Sequence, residues 1–351
     1  MSIAALPRDP ATHLRLALLG AGAALAERIG AAAPAWLGEY AAEIETLAGR
    51  RLAADGWSAM VANWAGPASG LPLQRLLGAF DDPLAIDLML AIGLAGEDAR
   101  VGALLGDGDR LTLATLTALW RDRGGGGDDP GAVRRIVNLL LHAGLIGVAN
   151  PEAPRCEWQL SVAAAAWDAL AGDPTPPPGC RLLPAAELLP FDRLVAAEPL
   201  IDRALLIAEA MAEDPMLVPL LRGPARNGRK TIAGAFARAA GRPLILAEAG
   251  LTEQPEAWRQ LGLFAFLHDA AVVVTVPVGP GEVREVPGFA LEPVRLIVAT
   301  GACGGVRLAE RPQAALLVPA PDFAGRMAHW RAAAPDLDPA GVAALADALW
   351  V

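Results

Sequence analysis

Lysine is almost missing from this sequence. Of 29 basic side chains in 351 residues, all but Lys230 are arginine. Ala, Gly, Pro and Arg are abundant, a drift that replaces lysine wherever arginine can serve, so the surviving lysine marks a position where arginine does not serve. Cysteine is scarce as well. Cys156, Cys180 and Cys303 lie far apart, which excludes a disulfide framework and a zinc cluster and suits a reducing, cytoplasmic compartment. No long apolar run escapes interruption by Gly, Pro, Arg or Asp, so no membrane span is expected. The first twenty residues lack a basic n-region, which argues against a signal peptide. Positive charge is in deficit, 29 basic against 39 acidic groups for a net charge of −10, which argues against a nucleic-acid partner. There is no Gly-x-Ser-x-Gly. None of the four histidines, His13, His142, His268 and His329, has a metal-ligand partner three or four residues on.

What remains is a chain that is 54% hydrophobic and 19% charged, rich enough to bury large cores, with a length that predicts two or three domains. Residues 1–104 read as an α-helical packing domain, with apolar residues such as Trp36, Leu37, Tyr40, Ile44 and Leu47 at three- and four-residue steps. Residues 105–172 change grammar. A helix over 111–123, a second over 131–144 and a hairpin through 145–161 give the order of a winged-helix module. Residues 105–178 hold six Arg against nine acids, so this module is expected to dock protein or to be structural rather than to bind DNA. A proline-rich linker and lead-in follow over 173–205, and three consecutive prolines in it make a stiff spacer.

Residues 206–351 alternate apolar strand and helix patterns, the grammar of a parallel α/β sheet. A buried strand over 216–223 runs into Gly-Pro-Ala-Arg-Asn-Gly-Arg-Lys-Thr and then a helix. Such a glycine loop presents backbone amides to phosphate oxygens at a helix N-terminus. In a P-loop a lysine reaches the outer phosphates and a threonine hydroxyl holds Mg²⁺. With 37 glycines the glycine spacing alone would recur by chance about four times; the only lysine, between strand and helix, is the informative part. The candidate nucleotide-binding residues are Gly223, Asn227, Gly228, Arg229, Lys230 and Thr231, with Thr231 as the Mg²⁺ ligand of an active enzyme. The register is unusual, because Gly228 is followed by Arg229 before Lys230. Either Arg229 takes the lysine slot or the loop is one residue longer.

The strand over 271–278 ends in Thr275, Val276 and Pro277, without the acid that holds Mg²⁺ and the attacking water. Asp269 precedes the strand and Glu282 lies beyond it, so hydrolysis is expected to be absent or crippled. Thr300 ends the next strand as a candidate γ-phosphate sensor, Arg307 and Arg311 are trans-acting candidates by position, and Gly301–Gly305 reads as a mobile loop.

These segments, LLRGPARNGRKTIAGAFARAAGRPLIL, AVVVTVPV, VRLIVATG and LLVPAPDFAGRMAHW, resemble the core of an AAA+ ATPase. Together with the helical region, the phrase LLLHAGLIGV and the phrase LLPFDRLV, the order of parts resembles the N-terminal half of AAA+ ATPases associated with extracellular contractile injection systems. The resemblance implies a winged helix and a degenerate AAA+ module that binds ATP and Mg²⁺ weakly or not at all. It also implies homo-oligomeric rings, protein partners docked through the winged helix, and a helical lid and active second module after Val351. The alternatives are an active Mg-ATP-hydrolysing ATPase and a winged-helix DNA-binding regulator.

Overall fold

The computed structural model describes residues 2–66, 70–105, 111–121, 131–309 and 311–348. Two compact units emerge. The first comprises residues 1–175 with 259–268 and 290–292, and the second comprises 176–258, 269–289 and 293–351.

The first unit opens with six helices: α1 (Pro10–Ile29), α2 (Gly38–Ala48), α3 (Ala54–Ala65), α4 (Pro72–Ala79), α5 (Leu84–Glu97) and α6 (Ala99–Leu105). Asp9 starts α1 by accepting a hydrogen bond from the Thr12 amide at 2.7 Å, with Pro10 preset for the first turn. Leu16, Leu19 and Ala23 on α1 pack against Ile44 and Leu47 of α2 and Trp57, Val61 and Trp64 of α3. Trp57 is fully buried and donates its indole N–H to the Leu16 carbonyl at 2.9 Å, so its polar atom is satisfied. Gly22 lies against the face of the Tyr40 ring, where a Cβ would overlap it. Tyr40 in turn donates to Asp98 at 2.7 Å.

Then come β1 (Leu111–Thr112), α7 (Leu113–Leu119), α8 (Ala132–His142), β2 (Ile146–Val148), β3 (Gln159–Val162) and α9 (Ala164–Ala171). Here the structure refines the expected helix over 111–123. Leu111 and Thr112 pair antiparallel with Leu160 and Gln159, and Thr112 caps α7 by accepting from the Thr115 amide at 3.2 Å. The glycine run at 124–127 lies outside the described residues. Strands β2 and β3 form the expected hairpin, and the three-stranded sheet has the order β1-β3-β2.

The second unit contains β4 (Cys180–Leu183), α10 (Glu198–Glu213), β5 (Val218–Arg222), α11 (Arg229–Ala239), β6 (Leu244–Ala247), α12 (Pro255–Leu267), β7 (Ala271–Val276), β8 (Val283–Val286), β9 (Leu296–Thr300), β10 (Gly305–Leu308), β11 (Gln313–Leu317), α13 (Phe323–Ala333) and α14 (Pro339–Ala348). From Arg259 onward the residues of α12 group with the first unit. The main sheet has the order β11-β5-β9-β7-β6-β4, parallel except for β4, which pairs antiparallel with β6. Central strands β5, β7 and β9 are covered on both faces, which is why they read as continuous apolar runs rather than alternating ones. Pro219 is tolerated because the β5–β9 ladder starts one residue later, at Leu220 opposite Val298.

One face of the sheet, with Leu221, Val273, Ile297, Ala299 and Leu316, packs on Ile232 and Phe236 of α11 and on Ala204, Ile207 and Met211 of α10. Phe236 meets Phe191 edge-on at 5.3 Å, and burying a ring of this size contributes about 2–3 kcal/mol. The short edge strand β4 and the two-stranded parallel ribbon β8–β10 are additions to the expected elements. Of Gly301–Gly305, expected to be a mobile loop, residues 301–304 form the bend that leads into β10 and Gly305 opens that strand, with the Gly304 carbonyl accepting from Arg222 at 3.0 Å. No helix among the described residues is long and apolar enough to cross a membrane.

Candidate phosphate-binding cleft

The loop between β5 and α11 sits at the carboxyl ends of the parallel strands, where open α/β sheets bind ligands. Its first residue, Gly223, is held by a bond from its amide to the Thr300 carbonyl at 3.2 Å. A side chain there would run into the Val318 carbonyl and the Asn227 amide, so only glycine fits. Arg226 adopts a left-handed conformation, φ 60°, which is costly for a residue with a Cβ. Gly228, at φ 85°, turns the chain into α11 and offers no side-chain cap. Among the described residues the first-turn amides of α11, at Arg229, Lys230 and Thr231, therefore have neither an intrahelical nor a side-chain capping partner, which gives the partial positive charge that attracts anions.

These residues line a cleft of about 600 Å³ with Ala225, Arg226, Asn227, Gly228, Ala249, Thr275 and Ala299, a volume within the range of small-molecule sites. A second cleft of about 340 Å³, sharing Arg226, Asn227, Gly228 and Thr231 with the first, is completed by Pro321, Arg326, His329 and Trp330. Arg326 is fixed by donating to the carbonyls of Ala346 at 2.6 Å and Pro321 at 3.2 Å.

Arg229 and Lys230 have different roles. Arg229 donates to the Asn227 side-chain oxygen at 3.1 Å and to the Thr300 carbonyl, while the Asn227 amide donates to the Val318 carbonyl. This relay staples the loop to the ends of β9 and β11. Burial lowers the Arg229 pKa from its ordinary value, yet a guanidinium stays charged in a protein. Lys230 and Arg226 are exposed at the cleft. Among the described residues none of these three cations forms an ion pair.

Asp269 and Glu282 are engaged in other contacts, and a third acid, Glu248, is exposed next to cleft-lining Ala249. Asp269 pairs with Arg242. Glu282 accepts from the Gly279 amide at 3.0 Å. Glu248, just past β6, stands beside Cys180, whose thiol is pushed up to about 11 by burial first and by that carboxylate second. Thr300 is buried, and its hydroxyl has no partner among the described residues. It lies in register with Arg222 and Val276, on the sheet face opposite the cleft-lining pair Thr275 and Ala299. Arg311 is buried and donates to the carbonyls of Met216, Pro215 and Val294, far from the strand ends that form the cleft, while Arg307 is exposed on β10.

Mg²⁺ fits this cleft poorly. Hard cations want oxygen ligands, with one or two carboxylates from the protein. The cleft offers the hydroxyls of Thr231 and Thr275, no carboxylate and three cationic side chains. No group of three or more His, Cys, Asp or Glu side chains is placed to hold a metal among the described residues. Thr275, Arg326, His329 and Trp330 were not legible as site residues, because separate elements bring them to the loop; Arg226 lies in the loop itself and carries no P-loop signature. The sequence matches no protein-family model and no curated protein.

Proposed function

We propose that the second unit is a degenerate AAA+-type P-loop module that binds the phosphates of a nucleotide such as ATP without hydrolysing it. On this reading the chain is the scaffold or regulatory half of a ring-forming ATPase. The observation that carries the reading is the cleft itself: a glycine-entered loop at the carboxyl ends of a parallel sheet, with uncapped helix amides, Lys230 and Arg226, and no carboxylate. Positive groups of this kind bind phosphate. Hydrolysis also needs an acid to hold the metal and orient water; no carboxylate lines the cleft, and Asp269 and Glu282 are used in other contacts.

In the first unit the order α6, β1, α7, α8, β2, β3, with sheet order β1-β3-β2, supports a winged-helix reading. The exposed side of α8 carries Arg134, Arg135, Asn138 and Leu139. With the acidic balance of this segment, that mixed surface favours protein docking over DNA. The sequence resemblance to ATPases of contractile injection systems supports an active ATPase module of such a ring as the partner.

Calorimetric titration of ATP into the full chain, beside Lys230→Ala and with a parallel turnover assay, tests the proposal. The expected result is saturable binding weakened at least about ten-fold in the exposed-lysine variant, with no phosphate release above the blank. Turnover that Lys230→Ala abolishes would make the chain an enzyme and overturn the scaffold reading.

A further inference from the structure

We infer that the cleft takes its phosphate ligand in the metal-free form, with the Arg229 guanidinium as a built-in cation where P-loop enzymes use Mg²⁺. This rests on the phosphate-binding reading above and specifies its ligand. Arg229 is half-buried and lines the cleft, and among the described residues its side chain donates to the Thr300 carbonyl and the Asn227 side-chain oxygen, neither of which carries charge. A half-buried cation without a counter-ion is unfavourable unless an anion completes it. Arg226 and Lys230 add two more cations on the same cleft, again without a carboxylate. In a protein of net charge −10, such a concentration of one sign is a local exception that favours an anionic ligand.

The same charges disfavour a metal complex. Chelation cancels roughly half the negative charge of a nucleoside triphosphate and brings a divalent cation close to three fixed ones, where repulsion is weakly screened. A P-loop that used Mg²⁺ would offset this with an acid on the neighbouring strand. At the strand end the corresponding positions are Thr275 and Val276, of which only Thr275 lines the cleft.

The test is calorimetric titration of the full chain with ATP and, separately, with inorganic pyrophosphate, each in EDTA and in excess Mg²⁺ at matched ionic strength. Binding is expected to be about five-fold or more tighter in EDTA. Arg229→Gln should bring that ratio to within about two-fold of unity and Arg229→Lys should retain it, with melting temperatures confirming that both variants fold. Should Arg229→Gln unfold, the ratio in the unmodified chain and in Arg229→Lys decides. Equal or tighter binding with Mg²⁺ overturns the inference and leaves phosphate binding standing. A ratio unchanged in a folded Arg229→Gln removes Arg229 from the role. Absence of binding in both buffers takes down this inference and the phosphate-binding reading together.

Discussion

At the scale of single residues, the fold places charge and polarity where burial changes their chemistry. His13 is 1% exposed, packs 5.9 Å from the Trp64 ring, and its Nδ1 has no partner among the described residues. Burial lowers its pKa from 6.5 to about 4, so the folded protein holds it neutral while the unfolded chain protonates it near its ordinary value. The stabilisation from this difference is fully present above pH 6.5 and is lost as pH falls towards 4, by about 3 kcal/mol in total. Urea unfolding between pH 7 and 4 should show that loss, and His13→Phe should flatten the slope over the same window. Arg229 shows the opposite case, a charge that cannot be neutralised and is held by carbonyls instead. Its partner was illegible in sequence because a backbone carbonyl has no signature in the residue that carries it.

At the scale of elements, helix ends are decided by single side chains. Asp322 caps α13 by accepting from the Gly325 amide at 2.8 Å, and α13 carries Arg326, His329 and Trp330 to the second cleft. Asp322→Ala should destabilise the protein by about 1 kcal/mol, read as a lower urea midpoint at unchanged slope. Legibility follows the same physics. Strands β5, β7 and β9 were visible because burial on both faces demands unbroken apolar runs. The edge strand β4 falls in the stretch that the sequence marks as linker and lead-in, since Cys-Arg-Leu-Leu carries little pattern and its pairing with β6 lies some sixty residues away in sequence. The β8–β10 ribbon was missed because Val283, Arg284 and Glu285 are exposed and only Val286 is buried. The loop was legible through its glycines and its lysine, whereas Thr275 and Trp330 reach the site only through the strand order and the turn after β11.

At the scale of the whole chain, both units are discontinuous. The first includes residues 259–268 and 290–292 as well as 1–175. Within it the Leu267 carbonyl accepts from Arg75 at 2.7 Å, and Gly144 lies against the Arg259 side chain with no room for a Cβ. Leu261, Leu263, Phe264 and Leu267 are buried. A fragment spanning residues 1–175 therefore lacks part of its own core. It should show a broadened thermal transition by circular dichroism and bind a dye for exposed apolar surface. A sharp melt without dye binding would show that these residues are dispensable to the unit.

That discontinuity also has a consequence in time. Ribosomes add about 5–20 residues per second, so residue 268 emerges roughly 5–20 s after residue 175. For that interval the N-terminal helices must wait with an unfilled apolar surface, long after helices and hairpins have had time to form. Synthesis of this chain thus includes a window in which the buried side chains of residues 259–268 are not yet available to the helices made before them.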